Sequence, residues 1–201
     1  MPEAIIAGLV PAAGASRRLG QDKRRLPFGG ATLLEATVDV LRRAGFRPLL
    51  VVLEPASPCR ALPGLADVII AENAAPERGM LSSIREGLRA LPAEVSGAAV
   101  LPGDHPRVSV EAAGALLERF REREAGLLVP SYGGLRGHPL LLARRLFAAA
   151  CACDDAVGLR QLLELRAAEL EVLELPAGRA EEDVDVPADL ERLRRADERR
   201  R

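Results

Sequence analysis

The sequence predicts one α/β domain over residues 1–201, in which helices cover both faces of a mostly parallel sheet to give three layers. Two observations predict this fold class. Short apolar runs alternate along the chain with amphipathic segments of helix length, as in parallel strands joined by crossover helices. Polar and glycine-rich residues follow the apolar runs, and ligands bind at that end of the strands in α/β sheets. A chain of 201 residues is also long enough to bury a core without disulfide support.

The first half of the chain supplies three predicted strands and two predicted helices. AIIAGLVPA is predicted as a buried strand because it is too short and too apolar for a surface helix. TLLEATVDVLRRAG is predicted as a helix, since Thr32 and Glu35 form a capping-box pattern and Gly45 supplies a stop. PLLVVLE and ADVIIAE are the next predicted strands. SIREGLRAL repeats the Ser-x-x-Glu pattern at Ser83 and Glu86, which predicts a second helix that starts at Ser83.

The second half continues the alternation. GAAVLPGD is predicted as a strand that ends at Asp104, and SVEAAGALLERFRERE as a helix begun by Ser109. GLLVPSY, HPLLL and ELEVLELP are predicted strands, two helical stretches lie between Ala143 and Arg166, and a last helix starts at Pro187. The segments that follow strands are the predicted binding positions: Ala12 to Lys23, Asn73 to Ser83, Asp104 to Pro106, and Ser131 to His138.

The composition excludes several classes of function. Lysine and arginine number 28 against 29 acidic residues, and the formal net charge of −1 argues against a general role on nucleic acid or a membrane surface. No apolar run approaches the roughly 18 residues of a membrane span, and no signal-like segment opens the sequence. Three cysteines are too few for a disulfide framework and fit a reducing compartment, so we expect a cytoplasmic protein.

The segment LVPAAGASRRLGQDKRRLPFGG combines a glycine-bearing turn with a cluster of cations directly after the first strand. It is not a Walker loop, because Gly14 and Gly20 are separated by five residues instead of four and Lys23 comes later. The dinucleotide fingerprint G-x-G-x-x-G is also absent, which removes most of the support for a hydride-transfer enzyme.

What remains is a different kind of phosphate loop. Ala12, Ala13 and Gly14 are small enough to let backbone N–H groups approach an anion, and the glycine permits the turn. Arg18 and Lys23 then neutralise the phosphates, the arginine as a fork and the lysine as a point charge. The predicted ligand is a nucleoside triphosphate.

This loop resembles the first signature of the MobA-like nucleotidyltransferases, loosely L-A-A-G-x-S-x-R-M-G-x-x-K, with Leu19 in place of methionine. Later segments resemble family motifs in the same order: ENAAPERGMLSSIREGL, LPGDHPRVS, YGGLRGHPLLL and DVDVPADLERL. Within the family, the closest likeness is to the molybdenum cofactor cytidylyltransferases. The resemblance implies a Rossmann-like, nucleotide-diphospho-sugar transferase-like fold and Mg²⁺-dependent transfer of NMP from CTP or GTP, with release of pyrophosphate. The implied acceptor is a phosphorylated small molecule, molybdopterin or its metal-loaded form, and a molybdoenzyme-maturation protein is an implied partner.

The charged candidates have the roles that nucleotidyl transfer needs. Arg18 and Lys23 would hold the triphosphate and stabilise the departing pyrophosphate. Asp104, at a strand end beside a proline, is a hard oxygen ligand suited to Mg²⁺, and Asp185 would supply a second carboxylate. Alternative interpretations stay open, because Asp104 also fits a turn aspartate and Asp185 also fits the N-cap of the helix at Pro187.

The neutral candidates fall into two groups. Those expected to meet the base or the ribose are Asn73, Gly79 and Ser83, and those expected to line the acceptor pocket are Tyr132, Gly137 and His138. A helix cap is the alternative interpretation of Ser83, and a strand-entry histidine that of His138. Two further function classes remain: a nucleotidyltransferase for a sugar or polyol phosphate, since VPAAG also opens the methylerythritol-phosphate cytidylyltransferases, and a nucleotide-binding module without turnover.

Overall fold

The fold was analysed in a computed structural model that describes residues 3–14 and 22–176. The strands are β1 Ile6–Pro11, β2 Pro27–Phe28, β3 Ala31–Thr32, β4 Leu49–Leu53, β5 Ile69–Glu72, β6 Gly97–Val100, β7 Leu127–Tyr132, β8 Leu135–Arg136, β9 Leu140–Ala143 and β10 Leu170–Leu175. The α-helices are α1 Leu33–Ala44, α2 Met80–Ala90, α3 Val110–Arg123, α4 Phe147–Cys151 and α5 Leu159–Leu165. A 3-10 turn, Lys23–Arg25, lies between β1 and β2.

Within the described residues, the main sheet has eight strands, in the order β10-β7-β9-β6-β1-β4-β5, with β8 paired to β7. Strand β1 pairs in parallel with β4 and with β6, and β10 pairs in parallel with β7. Strand β9 is antiparallel to both of its neighbours, β6 and β7. The carboxyl ends of β1, β4, β5, β6 and β7 therefore meet at one edge of the sheet.

Two apolar clusters separate the three layers and confirm the predicted fold class. One cluster packs α1 and α3 against the sheet through residues such as Leu41 and Phe120. The other packs α2, α4 and α5 against the opposite face, with Leu88, Phe147 and Leu162 among its members. Leu, Val and Ala side chains supply most of both clusters, as expected for a chain with 2% aromatic residues. None of the helices in the described residues has the length and apolar composition that a membrane crossing requires.

Local sequence signals place some helices well and others poorly. Helix α1 has the complete capping box, because the Thr32 side chain accepts from the Glu35 amide and the Glu35 carboxylate accepts from the Thr32 amide. It ends at Gly45, whose φ of 96° suits a glycine. Helix α2, in contrast, begins at Met80 and not at Ser83, so the Ser-x-x-Glu pattern there is not a cap.

Candidate active site

A cleft of about 460 Å³ opens at the carboxyl edge of the sheet. Its walls come from the end of β1, the 3-10 turn, the start of α2 and the loop after β6. The residues that line it are Pro11, Ala12, Ala13, Gly14, Lys23, Arg24, Pro76, Glu77, Gly79, Met80, Ser83, Pro102, Gly103 and Asp104. Sequence segments that lie far apart along the chain are thus brought together where strand ends predicted a binding site.

Lys23 and Asp104 form an ion pair across this cleft, between Nζ and Oδ2. The lysine follows β1 and the aspartate follows β6, which is the strand next to β1 in the sheet. Strand β6 ends at Val100, so Asp104 lies in the loop beyond the strand and not at the predicted strand end. Both side chains are about one-fifth exposed, and each can be reached from solvent.

Asp104 is held in its ionised form. Burial raises the free energy of its charged form, but hydrogen bonds from His105 and Lys23 outweigh this effect, and the pKa of Asp104 lies well below its usual range. The Nδ1 atom of His105 lies 3.0 Å from Oδ1 of Asp104, on the other oxygen from Lys23. A carboxylate that stays charged and faces the cleft is suited to a divalent cation.

The end of β1 differs in one respect from the prediction. Ala12, Ala13 and Gly14 do line the cleft, but the Ala12 amide donates to the Val52 carbonyl at 2.9 Å and is not directed at an anion. Ala13 and Gly14 are therefore the residues whose amides would meet a phosphate. The φ of Gly14 is not positive, so glycine is not needed for a turn there. A Cβ added at Gly14 would have no heavy atom of the described residues within 4 Å.

Arg24 is a functional candidate that the sequence analysis missed. Although it follows Lys23 directly, it is only 7% exposed and its guanidinium points into the protein. It donates to the Ala12 carbonyl at 2.5 Å, to Glu54 at 2.5 and 2.6 Å, and to Asp22 at 2.6 and 2.7 Å. Together with Ala13, Gly14 and Lys23, it forms what we call the phosphate side of the cleft. The sequence places three cationic residues in a row, KRR, and does not indicate which of them is buried.

On the opposite wall, which we call the helix side, Asn73, Gly79 and Ser83 meet the expectation only in part. Gly79 precedes α2 with a φ of 97° and lines the cleft together with Ser83. Asn73 does not line it. This residue is 2% exposed, donates to the hydroxyls of Ser82 and Ser83 at 2.8 and 2.9 Å, and accepts from the Ala75 amide at 2.9 Å. Asn73 therefore orients Ser83 and does not itself face a ligand in the cleft.

The predicted acceptor residues lie beside the cleft on the β7–β9 flank. The ring of His138 makes an edge contact with His105, with centroids 4.9 Å apart and planes at 81°. The register of the sheet brings the two segments close, because Val100, the last residue of β6, pairs with Leu140, the first residue of β9. Tyr132 ends β7, and the Gly137 amide donates to the Pro130 carbonyl at 3.0 Å. Neither Tyr132 nor Gly137 belongs to the cleft lining.

Two predicted residues, Arg18 and Asp185, lie outside the described residues, as does the predicted helix at Pro187. Among residues 3–14 and 22–176, no group of three or more His, Cys, Asp or Glu side chains could hold a metal ion. Asp104 alone still fits Mg²⁺, because this ion is commonly held by one or two carboxylates together with substrate phosphates and water.

Comparison with known proteins decides the family. The model of the MobA-like NTP transferase domain matches residues 8–172. The chain belongs to this family. It is a nucleotidyltransferase, and its substrate is a nucleoside triphosphate. The family match agrees with the motifs of the sequence, whereas the single-domain organisation over residues 1–201 and the roles of the site residues stay predictions.

Individual relatives of this MobA-like protein are similar over nearly its whole length. The "Probable molybdenum cofactor guanylyltransferase" of Mycobacterium avium (strain 104) is 34% identical over 199 residues, which are 95% of this chain and 96% of the relative. The crystal structure of Rv0371c from Mycobacterium tuberculosis H37Rv is 28% identical and has a TM-score of 0.84, with 95% of this chain and 98% of that chain covered. A structure of Rv0371c in complex with manganese has a TM-score of 0.73 at 30% identity, and covers 94% and 98% of the two chains.

Proposed function

We propose that this MobA-like nucleotidyltransferase transfers the GMP group of GTP to the phosphate of molybdopterin or of its metal-loaded form, with Mg²⁺ as the divalent ion. The observation that carries the proposal is the pair of Lys23 and Asp104, which face each other across the cleft at the ends of adjacent strands. The choice of GTP over CTP and the choice of acceptor are supported by the name of the Mycobacterium avium relative. The sequence motifs had suggested a likeness to the cytidylyltransferases, so both nucleotides belong in the test.

The phosphate side supplies the charge that a triphosphate requires. When a triphosphate binds, the Lys23 ammonium would break its ion pair with Asp104 and bind the β- and γ-phosphates. The amides of Ala13 and Gly14 would donate to phosphate oxygens. Arg18, from the same loop, is proposed to add a second cation. These groups neutralise the charge that accumulates on pyrophosphate as it departs, and this effect together with positioning supplies most of the catalysis in phosphoryl chemistry.

The transfer itself is a displacement at the α-phosphorus. An oxygen of the acceptor phosphate forms a bond to this phosphorus, and the bond from the phosphorus to the oxygen that bridges the α- and β-phosphates breaks. Pyrophosphate leaves with that bond pair. A phosphate monoester has its second pKa near 6, so the attacking oxygen is already ionised at neutral pH and no general base is required.

Asp104 would hold the divalent ion, with Asp185 as the proposed second carboxylate. The ion supplies charge neutralisation on the phosphate oxygens and a fixed template for the displacement. Support for a divalent ion comes from the donor chemistry of Asp104, which is ionised and accessible, and from the manganese complex of Rv0371c. His105 keeps one carboxylate oxygen oriented through the contact at 3.0 Å.

Pyrophosphate release by the purified protein tests the proposal. Reactions would contain GTP or CTP, Mg²⁺ or Mn²⁺, and molybdopterin, its metal-loaded form or a sugar phosphate. We expect release with GTP and a molybdopterin acceptor, and its loss on chelation of the metal. No release with any combination of nucleotide and acceptor would contradict the proposal. Release with a sugar phosphate alone would preserve the reaction type but replace the acceptor.

A nucleotide-binding module without turnover is separated from an enzyme by the same reaction with Asp104→Ala. An enzyme loses its rate in this variant while part of its affinity for GTP survives, because the lysine and the loop amides still meet the phosphates. If the protein is only a binding module, the unmodified chain itself binds GTP but releases no pyrophosphate. The comparison therefore requires that both GTP affinity and pyrophosphate release are measured on each protein.

A further inference from the structure

We propose that Arg24 is a positioning residue for the triphosphate: its guanidinium joins the two ends of the loop after β1 and so sets the place of Lys23 and of the Ala13 and Gly14 amides. This inference rests on the proposed function, since it assumes that a triphosphate binds in this cleft. It concerns a mostly buried side chain at the base of the cleft, whose hydrogen bonds all go to Ala12, Asp22 and Glu54.

The guanidinium forms hydrogen bonds to three different parts of the site. Nη1 binds the Ala12 carbonyl, at the point where the chain leaves β1 and enters the loop. Nε and Nη2 bind the carboxylate of Asp22, where the loop returns and the 3-10 turn starts. Nη1 and Nη2 also bind the two oxygens of Glu54, just beyond the end of β4. The start and the end of the loop are thereby fixed to each other and to the neighbouring strand.

This arrangement requires arginine and not merely a positive charge. Nε, Nη1 and Nη2 all donate, in two directions at once, and the planar fork of the guanidinium matches a carboxylate on each of two edges. A lysine has a single ammonium and cannot reach Ala12, Asp22 and Glu54 with a common geometry. Arg24 and its carboxylate partners favour one another's ionised forms, since the pKa of Arg24 is raised and the pKa values of Asp22 and Glu54 are lowered, each against the effect of burial.

The direction of Lys23 depends on this anchor. Lys23 and Arg24 are consecutive in one short turn, in which the arginine points inward and the lysine points across the cleft to Asp104. If Arg24 is no longer held, the turn is free to rotate and Lys23 moves with it. A displacement of about 1 Å at a reacting group is enough to lower a rate about 100-fold. A buried ion pair contributes little net stability, because desolvation offsets the attraction, so the network matters for geometry more than for stability.

The experiment compares Arg24→Lys with the matched control Arg25→Lys, in the adjacent and exposed residue of the same turn. Affinities for GTP with Mg²⁺ and for guanosine, which has no phosphate, would be measured by calorimetry or competition. For Arg24→Lys we expect a loss of GTP affinity of roughly tenfold or more, a larger fall in kcat for pyrophosphate release, and an unchanged affinity for guanosine. Arg25→Lys should match the unmodified chain in all three.

A second variant protects the test against a failure to fold. Glu54→Gln removes one charged partner of Arg24 without any change to a residue that lines the cleft, and we expect the same pattern with a smaller loss. Without nucleotide, hydrogen exchange of the peptide that spans residues 10–26 should be faster in Arg24→Lys and Glu54→Gln than in Arg25→Lys.

The outcomes separate this inference from the proposed function. If the unmodified chain releases pyrophosphate while Arg24→Lys and Glu54→Gln bind GTP as tightly as it does, the role of Arg24 is overturned and the proposed function stands. An equal loss of affinity for GTP and guanosine would also overturn it, because general destabilisation does not distinguish the two ligands. If the unmodified chain neither binds GTP nor releases pyrophosphate, both the proposed function and the role of Arg24 fall.

Discussion

The two sides of the cleft are held in place by different chemistry. On the phosphate side, the buried guanidinium of Arg24 donates hydrogen bonds to two carboxylates and one carbonyl, so each of these bonds has a charged donor. On the helix side, the neutral amide of Asn73, which is also buried, holds two serine hydroxyls and one backbone amide. The helix side also carries charge, since Glu77 lines the cleft there and, further out, Arg85 binds the Cys151 carbonyl at 2.7 Å and pairs with Asp155.

Under the proposed function, the phosphate side meets the triphosphate and the helix side meets the base, and the difference follows from these roles. Phosphates are the same in every nucleoside triphosphate and carry several negative charges, so a charged anchor that binds both Ala12 and Asp22 suits them all. A base is neutral and differs between nucleotides, and neutral hydrogen bonds can be rearranged with little electrostatic cost. A buried charge also requires its complete set of partners, since removal of one partner leaves the rest uncompensated. The phosphate side should therefore be the less tolerant of substitution.

The largest expected effect is on the carboxylate that faces the phosphate side. Asp104→Asn removes the negative charge that would hold the divalent ion, and we expect the rate of pyrophosphate release to fall by roughly 1000-fold. Affinity for GTP should persist in part. Asp39→Asn, at a half-exposed position on α1 outside the cleft lining, serves as the control with unchanged activity. A variant at Asp104 that retains more than a tenth of the rate would break the assignment of this residue to the reaction.

The next effect tests the cation of the phosphate side. Lys23→Met removes the charge that would neutralise the triphosphate and the departing pyrophosphate, and a loss of roughly 100-fold in kcat/KM for GTP is expected, with contributions from both KM and kcat. Without Lys23, the pKa of Asp104 should rise, because one of the two hydrogen bonds that lower it is gone. Steady-state kinetics over a range of GTP concentrations measure the effect, with Arg25→Met as the control. Equal kinetics for the two variants would contradict the role of Lys23.

On the helix side, substitution should alter stability more than chemistry. Asn73→Ala leaves buried hydroxyl and amide groups without their partner, which typically costs about 1–3 kcal/mol of unfolding free energy. Because Asn73 acts through Ser83, we expect kcat to change by only a few fold. Urea denaturation and initial rates provide the two measurements, and the exposed Arg89→Ala on α2 is the control, since surface ion pairs contribute little. A large loss of kcat with unchanged stability would place Asn73 in the chemistry after all.

The smallest expected effect concerns pH. The pKa values of Asp22 and Glu54 are lowered from 3.8 and 4.5, because hydrogen bonds and charge from Arg24 outweigh the opposing effect of burial. The two carboxylates therefore stabilise the fold above those values, and this contribution is lost as the pH falls through their lower values in the folded protein. In Glu54→Gln, the fall in Tm between pH 6 and pH 3 should be smaller than in the unmodified chain. Glu86→Gln, at a half-exposed position on α2, should leave the fall in Tm unchanged, and an equal fall in the two variants would contradict the assignment.

Sequence patterns predicted the fold well where the signal is local. The capping box at Thr32 and the glycine stop at Gly45 need only residues within one helix, and both are confirmed. The same reasoning was wrong at Ser83, where the Ser-x-x-Glu pattern lies inside α2 and the serine bonds to Asn73 instead. A helix cap and a buried hydroxyl look alike in sequence, because the partner that distinguishes them comes from another segment.

For the site, the sequence predicted which segments meet but not how each side chain is used. Lys23 and Asp104 follow strand ends and do meet across the cleft. Arg24 could not be identified, since its burial depends on Glu54, which lies 30 positions further along the chain. Asn73 was expected to face a ligand, yet polar residues after a strand also serve to hold one another. The direction of β9 was equally hidden, because strand direction depends on pairing with β6 and β7.

Strand β9 is bordered on both sides by antiparallel partners, and His138 lies two positions ahead of its first residue. A strand paired on both edges cannot slip by one position without turning its buried side chains to the opposite face. The separation between His138 and the Asp104 loop is consequently a fixed dimension of the scaffold. Under the predicted acceptor role of His138, a new acceptor preference would have to arise by exchange of side chains, or through the turn between β7 and β8 at Gly133 and Gly134, where φ is 59° and 84°.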